Sequence, residues 1–281
     1  MRTDMKEIDN REEMMCMKLG KNRKSGGLAL CREIKPFTGV LLGLSAPAAV
    51  LLLWYTAGER GWINQAILPG LSKTIRVAGN LITDGTLWSN LAASISRVIK
   101  GFAVGAVLGV VIGTFMGLSK VFHSILQTLV GLLRPIPMVA WIPLFILWIG
   151  IDDGFKVTLI ALGTFWSVLL NTIHGIRSVD PKLLEVSTAL EKDRLTVIGK
   201  IILPSALPAI LTGVRIGMGT AWSCVVAAEM IAASKGIGYM IMFAREMAQP
   251  AKLMVGVFTI GVIGLLIDTL ILKLQKKLIR W

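Results

Sequence analysis

The chain has 281 residues, 54% of them hydrophobic, and a mean hydropathy of +0.71. A soluble domain has no use for that much apolar surface, and several charge-free runs approach the length needed to cross ~30 Å of hydrocarbon. The formal net charge of +13 would suggest nucleic acid in a soluble protein, but nine basic residues lie in 1–36 and four in the last nine. That is the orientation signal of a membrane protein, so nucleic acid is excluded as partner and the lipid bilayer takes its place.

In chain order, the polar segment 1–36 is too long for a signal peptide and is read as a basic cytoplasmic N-terminal segment. The transmembrane domain then runs over 37–281, with six predicted spans at about 37–57, 101–118, 125–149, 157–175, 206–231 and 253–272. The first carries Trp54 and Tyr55 near its far end as interfacial anchors. The mixed stretch 58–100 reads as a turn followed by amphipathic helix, not as a span. Six spans put both ends on one side, and the basic ends make it the cytoplasm. Alternation places 119–124 and 176–205 in the cytoplasm, and 58–100, 150–156 and 232–252 outside. Arg97 and Lys100 then sit at the outer end of the second span, a mild exception that long loops tolerate.

Within the spans, three patterns carry information. The second reads GFAVGAVLGVVIGTFMG, with glycines at 101, 105, 109, 113 and 117 on one face. Such a stripe admits close helix packing or a surface along which helices slide. The third contains Pro135, Pro137 and Pro143, which interrupt its hydrogen-bond ladder. It reads either as a pathway element or as a kink that fits the bundle. Charges inside spans are Arg134, Arg215, Glu229 and Asp268. A charged side chain at a helix centre costs ~2.5–3.5 kcal/mol on insertion scales, so it faces protein or water. Arg215 lies deepest. It reads as an internal salt bridge or carbonyl cap, or as a contact for an anionic solute.

Catalytic machinery is missing from the sequence. Cys16, Cys31 and Cys224 are scattered, His123 and His174 have no spaced partners, and there is no metal cluster and no phosphate-binding G-x-x-x-x-G-K-[ST] loop. The chain is expected not to be an enzyme and to hold no cofactor. The charged insert PKLLEVSTALEKDRLTVIGKIILP (181–204) stands out between two apolar stretches. Asp180 and Pro181 supply an N-cap and a first helical residue, and Leu183, Leu184, Val186 and Leu190 group on one broad face.

This segment resembles the "EAA" loop of binding-protein-dependent ABC importer permeases, E-A-A-x-x-x-G, nine residues, then I-x-L-P. Glu185 takes the first position, Val186 and Ser187 the alanines, Glu191 the glycine, and Ile201 to Pro204 the end. The stretches TLWSNLAASISRVIKGF (86–102), LRPIPMVAWIPLFILWIGIDDGFK (133–156), NTIHGIRSVDPKLLE (171–185) and ILPSALPAILTGVRIGMGTAWSCVVAAEMIAASKGIGYMI (202–241) are similar to permeases for nitrate, aliphatic sulfonates and taurine, most of all the last two. The resemblance covers about residues 50–281.

It implies an all-α polytopic permease of the type I ABC importer kind in a bacterial inner (plasma) membrane. The function implied is ATP-driven import of a small anionic solute such as taurine, an alkanesulfonate or nitrate. Implied partners are two ABC ATPase subunits that bind the ATP and Mg, a second permease copy, and an extracytoplasmic substrate-binding protein. The coupling loop 176–205 would meet the ATPase through Leu184, Glu185, Val186, Ser187, Ala189, Leu190, Glu191, Leu203 and Pro204. Pro137, Trp141, Arg215, Trp222, Glu229, Gly236 and Gly238 are path or gate candidates, with 234–240 read as an outer gate or an ordinary turn. Glu191 departs from the family glycine, so the turn is made otherwise or the helix runs on through ALEKDRL. The competing reading is an ATP-independent secondary transporter or channel. It calls for an inverted repeat or paired intramembrane acids. No repeat links 37–150 with 157–272, and Glu229 and Asp268 are isolated and expected toward opposite membrane faces. A membrane anchor without transport leaves the proline-broken span unexplained.

Overall fold

A computed structural model describes residues 36–61 and 64–278, and these are helical with no strand. The segment 1–35, with Cys16 and Cys31, lies outside the described residues. The chain divides into two units, 1–56 and 57–281. The first contributes most of α1 (Pro36–Glu59), where the first span is expected; residues 45–58 form a short apolar helical stretch.

The second unit is built from α2 (Leu71–Thr83), α3 (Thr86–Leu118), α4 (Lys120–Leu133), a 3₁₀ turn (Met138–Trp141), α5 (Ile142–Ile149), α6 (Asp153–Arg177), α7 (Pro181–Ala189), α8 (Arg194–Val197), a π turn (Ile198–Ile202), α9 (Leu203–Ala232), α10 (Ile237–Glu246) and α11 (Pro250–Leu278). Among the described residues, α3, α6, the run Arg194–Ala232 and α11 are long and apolar enough to cross a membrane. A fifth span arises if α4 and the segment Met138–Ile149 count as one.

Two boundaries differ from the hydropathy pattern. The second span is expected from Gly101, but α3 begins fifteen residues earlier, at Thr86. The amphipathic stretch before Gly101 continues as helix because its polar residues find partners inside the bundle. The third span is expected as one element over 125–149. It is instead α4 and α5, bent by 91° at a break. Pro135 and Pro137 account for this, since neither ring nitrogen can donate and each ring crowds the preceding turn.

The bundle is centred on α6. Its residues Ile160, Thr164, Val168, Thr172 and Ile176 fall every four positions, and each faces one glycine of α3. A Cβ at Gly101, Gly105, Gly109, Gly113 or Gly117 would lie 2.6–2.9 Å from these side chains, in that order. Both rows advance together, so α3 and α6 run parallel. A β-branched side chain, stiff at χ1, fills each notch left by a missing Cβ. An adjoining flank of α6, which shares Thr164 and Val168, receives α9, antiparallel. There Gly213 faces Asn171, Gly217 faces Thr164 and Val168, and Gly163 faces Thr220 and Cys224. The glycine stripe thus serves close packing in this structure. Trp222 ties α9 to α11 by donating its indole N–H to the Ile260 carbonyl at 3.1 Å.

Candidate functional site

At the end of α6 the chain leaves the bundle. Arg177 donates to the Met116 carbonyl near the end of α3 at 3.3 Å and lies 3.0 Å from His123 on α4. Three residues on, the Asp180 carboxylate accepts from the Lys182 N–H at 2.9 Å, and Pro181 opens α7. Ser187 is the buried residue of α7, with its hydroxyl on the Leu184 carbonyl at 2.7 Å. Leu184 is half-buried. Glu185, Val186, Ala189 and Leu190 are exposed. Leu183 and, on α8, Leu195 are 46% and 81% exposed, so the segment shows several apolar side chains that nothing in the described chain covers.

The turn after α7 resolves the two expectations for Glu191. The helix ends at Ala189, and Glu191 adopts a left-handed backbone with φ 49°. Its N–H donates to the Thr188 carbonyl at 3.0 Å, and the Lys192 N–H donates to Ser187 at 3.1 Å. These two bonds define a Schellman cap, whose left-handed position usually holds glycine. A new helix begins at once. Asp193 caps α8 through the Thr196 N–H at 3.1 Å, and the Thr196 hydroxyl and N–H hold its carboxyl below the usual aspartate range. The π turn then widens the backbone, with the Leu203 N–H reaching Ile198, immediately before Pro204 opens α9. Proline cannot donate, so a wide turn suits this position.

At the other end of α6 lies a buried polar node. Glu229, 1% exposed, accepts from Arg97 Nη1 at 2.7 Å, from Ser94 at 2.8 and 2.9 Å, and from the Gly238 N–H at 3.0 Å. Arg97 also donates to the Lys235 carbonyl at 2.6 Å and to Asp153 at 2.9 Å. Asn90 and Ser94 accept from the N–H groups of Gly236 and Ile237, at 2.9 and 3.0 Å. The segment 235–238 is therefore fastened to α3 by its backbone. Gly236 has φ 133°, and a Cβ there would strike the Glu229 carboxylate; one at Gly238 would strike the Val226 carbonyl. Beside the node, Asp152, Asp153, Lys156 and residues 231–234 line an open cleft of about 550 Å³.

The remaining path candidates do not converge on one point. Arg215 makes a two-point ion pair with Asp268 of α11, at 2.7 and 2.8 Å. Trp222 is buried against α11. Pro137 precedes the 3₁₀ turn, and Trp141 stacks on Phe145 at 5.7 Å. The buried indole N–H of Trp141 meets no acceptor among the described residues. Asn90, Ser94, Arg97 and Asp153 are new to the site. Their signal was the 90, 94, 97 spacing, one helix face, with Arg97 read only as an orientation exception.

A long central helix thus separates an exposed, capped, apolar-faced helix at one end from a buried ionic node at the other. This arrangement suits a membrane subunit that is driven from outside itself. Comparison with known proteins agrees. Residues 105–280 match the family described as binding-protein-dependent transport system inner membrane component. The chain is 42% identical over 243 residues to a putative aliphatic sulfonates transport permease protein, SsuC, of Bacillus subtilis (strain 168), covering 86% of this chain and 88% of that one. It is 36% identical over 247 residues to the taurine transport system permease protein TauC of Escherichia coli (strain K12), covering 86% and 90%. The bicarbonate transport system permease protein CmpB of Synechococcus elongatus is 31% identical over 255 residues, covering 86% and 90%. Among solved structures, an amino acid ABC transporter crystallised with histidines aligns with TM-score 0.60 at 14% identity, covering 71% of this chain and 97% of that one. The inward-facing methionine ABC transporter MetNI aligns at 0.58 and 16%, covering 69% and 95%. The chain belongs to the inner membrane component family of binding-protein-dependent transport systems. It is an ABC importer permease located in the inner membrane, a transport subunit and not an enzyme, with the all-helical type I fold.

Proposed function

We propose that this chain moves a small oxyanion, of the sulfonate, taurine, nitrate or bicarbonate kind, across the membrane on energy delivered through residues 181–204. The supporting observation is α7, a capped helix at the end of the central helix that leaves Val186 and Leu190 exposed, with Leu195 of the following α8 exposed as well. Burying such a face in a partner's groove gives ~25 cal/mol per Å² of apolar surface. The partner in this reading is an ATPase subunit that binds ATP and Mg. Two of them act on two permease copies, with an extracytoplasmic binding protein that selects the solute. Six spans with both termini in the cytoplasm put α7 on the ATP side and the Glu229 node on the outer side. Residues 235–238, fastened to α3, then form the outer closure, and Pro137, Trp141, Trp222 and Arg215 line or brace the path.

The experiment is co-purification with the candidate ATPase. Val186→Asp with Leu190→Asp is expected to abolish both association and ATP-driven uptake in a chain that still reaches the membrane. Association that survives this double change overturns the coupling role.

A further inference from the structure

Two helices of the bundle bring half-buried and exposed polar side chains together in the middle of their apolar length. On α6, Ser167, Asn171 and His174 follow at four and three residues; the first two are half-buried beside Gly213 of α9, and His174 is exposed. On α9, Thr220 is half-buried and Gly219 and Ser223 are exposed. The two rows meet at Ser167 and Thr220, whose hydroxyl oxygens are 3.5 Å apart. The helix break between α4 and α5 arrives at the same depth. Met138 Sδ lies 3.7 Å from the Cβ position of Gly163, one turn of α6 from Ser167, and Thr220 borders that same position at 3.1 Å.

Polar side chains within a span face protein or water rather than lipid, and helix interruptions at mid-membrane mark transport sites in other architectures. The hydrogen bonds here are undemanding ones. Thr220 and Ser223 donate to the carbonyls four residues back at 3.1 Å, and Asn171 donates to Ser167 O at 2.8 Å. A hydroxyl in such a bond is free to rotate outward and donate to a visiting acceptor. Asn171, Ser167, Thr220 and Ser223 carry no formal charge, so an ion is met there by neutral donors and held weakly, as transit requires.

We propose that Asn171, Ser167, Thr220 and Ser223 form the hydrogen-bonding track over which a small hydrated oxyanion crosses the middle of the membrane, with Met138 at the helix break as its apolar wall. This rests on the permease reading above. It assigns the transit contacts to neutral side chains and leaves Arg215, held by Asp268, outside them.

The test uses inner-membrane vesicles carrying the full chain with its ATPase and binding protein. With Cys16, Cys31 and Cys224 replaced, single cysteines are introduced as Ser167→Cys, Thr220→Cys and Ser223→Cys. The exposed apolar positions Val107 and Leu265 serve as Val107→Cys and Leu265→Cys controls. The probe is an anionic sulfonatoethyl thiosulfonate reagent. Track cysteines are expected to react about ten-fold faster than the controls or more, because the reactive thiolate forms only where water reaches. Track cysteines as slow as the controls, in vesicles whose ATPase still co-purifies, overturn the track and leave the permease reading standing. Failure of the unaltered chain to retain the ATPase overturns the coupling role proposed for residues 181–204, an outcome distinct from slow labelling of the track. If one track variant does not insert, the other two decide.

Discussion

Glu191 shows how much one backbone angle can carry. A side chain in the left-handed region costs about 1–2 kcal/mol, a penalty glycine escapes. Glu191→Gly is therefore expected to hold the turn as well or to stabilise it by up to about 1 kcal/mol, since glycine returns part of the gain as unfolded-state entropy. Glu191→Val should weaken it, a β-branched residue being the least suited to φ 49°. Thermal unfolding in detergent would rank the three. Arg97 makes the opposite case. Arg97→Met leaves the Glu229 carboxylate buried without its cation, and breaking a buried pair in this way typically costs about 3–5 kcal/mol. Removing both charges, as Arg97→Met with Glu229→Met, should recover a good part of that loss. A double variant no more stable than the single one would mean that the pair is not what holds the node. The sequence showed Glu191 as a departure and could not show Arg97 as a partner. Its acid lies 132 residues away, and nothing local marks which distant carboxylate a cation meets.

At the scale of elements, spacing was the most legible feature. Five glycines at four-residue intervals predicted one face, and one face of α3 carries them against α6. The reciprocal row, Ile160 to Ile176, was equally regular but invisible, because β-branched residues are ordinary anywhere in an apolar span. Gly109→Val should force α3 away from Val168 and cost about 1–3 kcal/mol, as overpacking does. Gly131 of α4 is the control. A Cβ there meets open space, so Gly131→Ala should be neutral or stabilising by about 0.5–1 kcal/mol. Equal effects at the two positions would show that α3 and α6 do not interlock. The prolines of the third span announced an interruption. They did not announce its 91° angle, which depends on where Met138 and Trp141 lodge against α6 and α9. The start of α3 was misplaced for a related reason: hydropathy cannot count a polar helix turn as bundle when its partners are unknown.

For the whole molecule, the two ends are joined by elements that differ in how firmly they are held. From Asp153 to Arg177, α6 spans about 37 Å at 1.5 Å per residue, and it is covered along most of that length by α3 and α9. The segment 181–197 has short helices, exposed apolar side chains and caps made largely from its own residues. Local opening free energies follow this contrast, high where backbone bonds are buried and low where they are exposed. Amide hydrogen exchange on the purified chain should therefore be slow through α6 and the glycine-bearing half of α3, and fast through α7 and α8. Adding the ATPase should slow α7 and α8 markedly while α6 changes little, because binding covers the former and the latter is already closed. A segment 181–197 whose exchange is indifferent to the ATPase would place the contact elsewhere on the chain. Protection that spreads evenly through α6 and α3 instead would mean that the central pair is loose until the partner binds, and that the coupling helix does not push on a preformed rigid element.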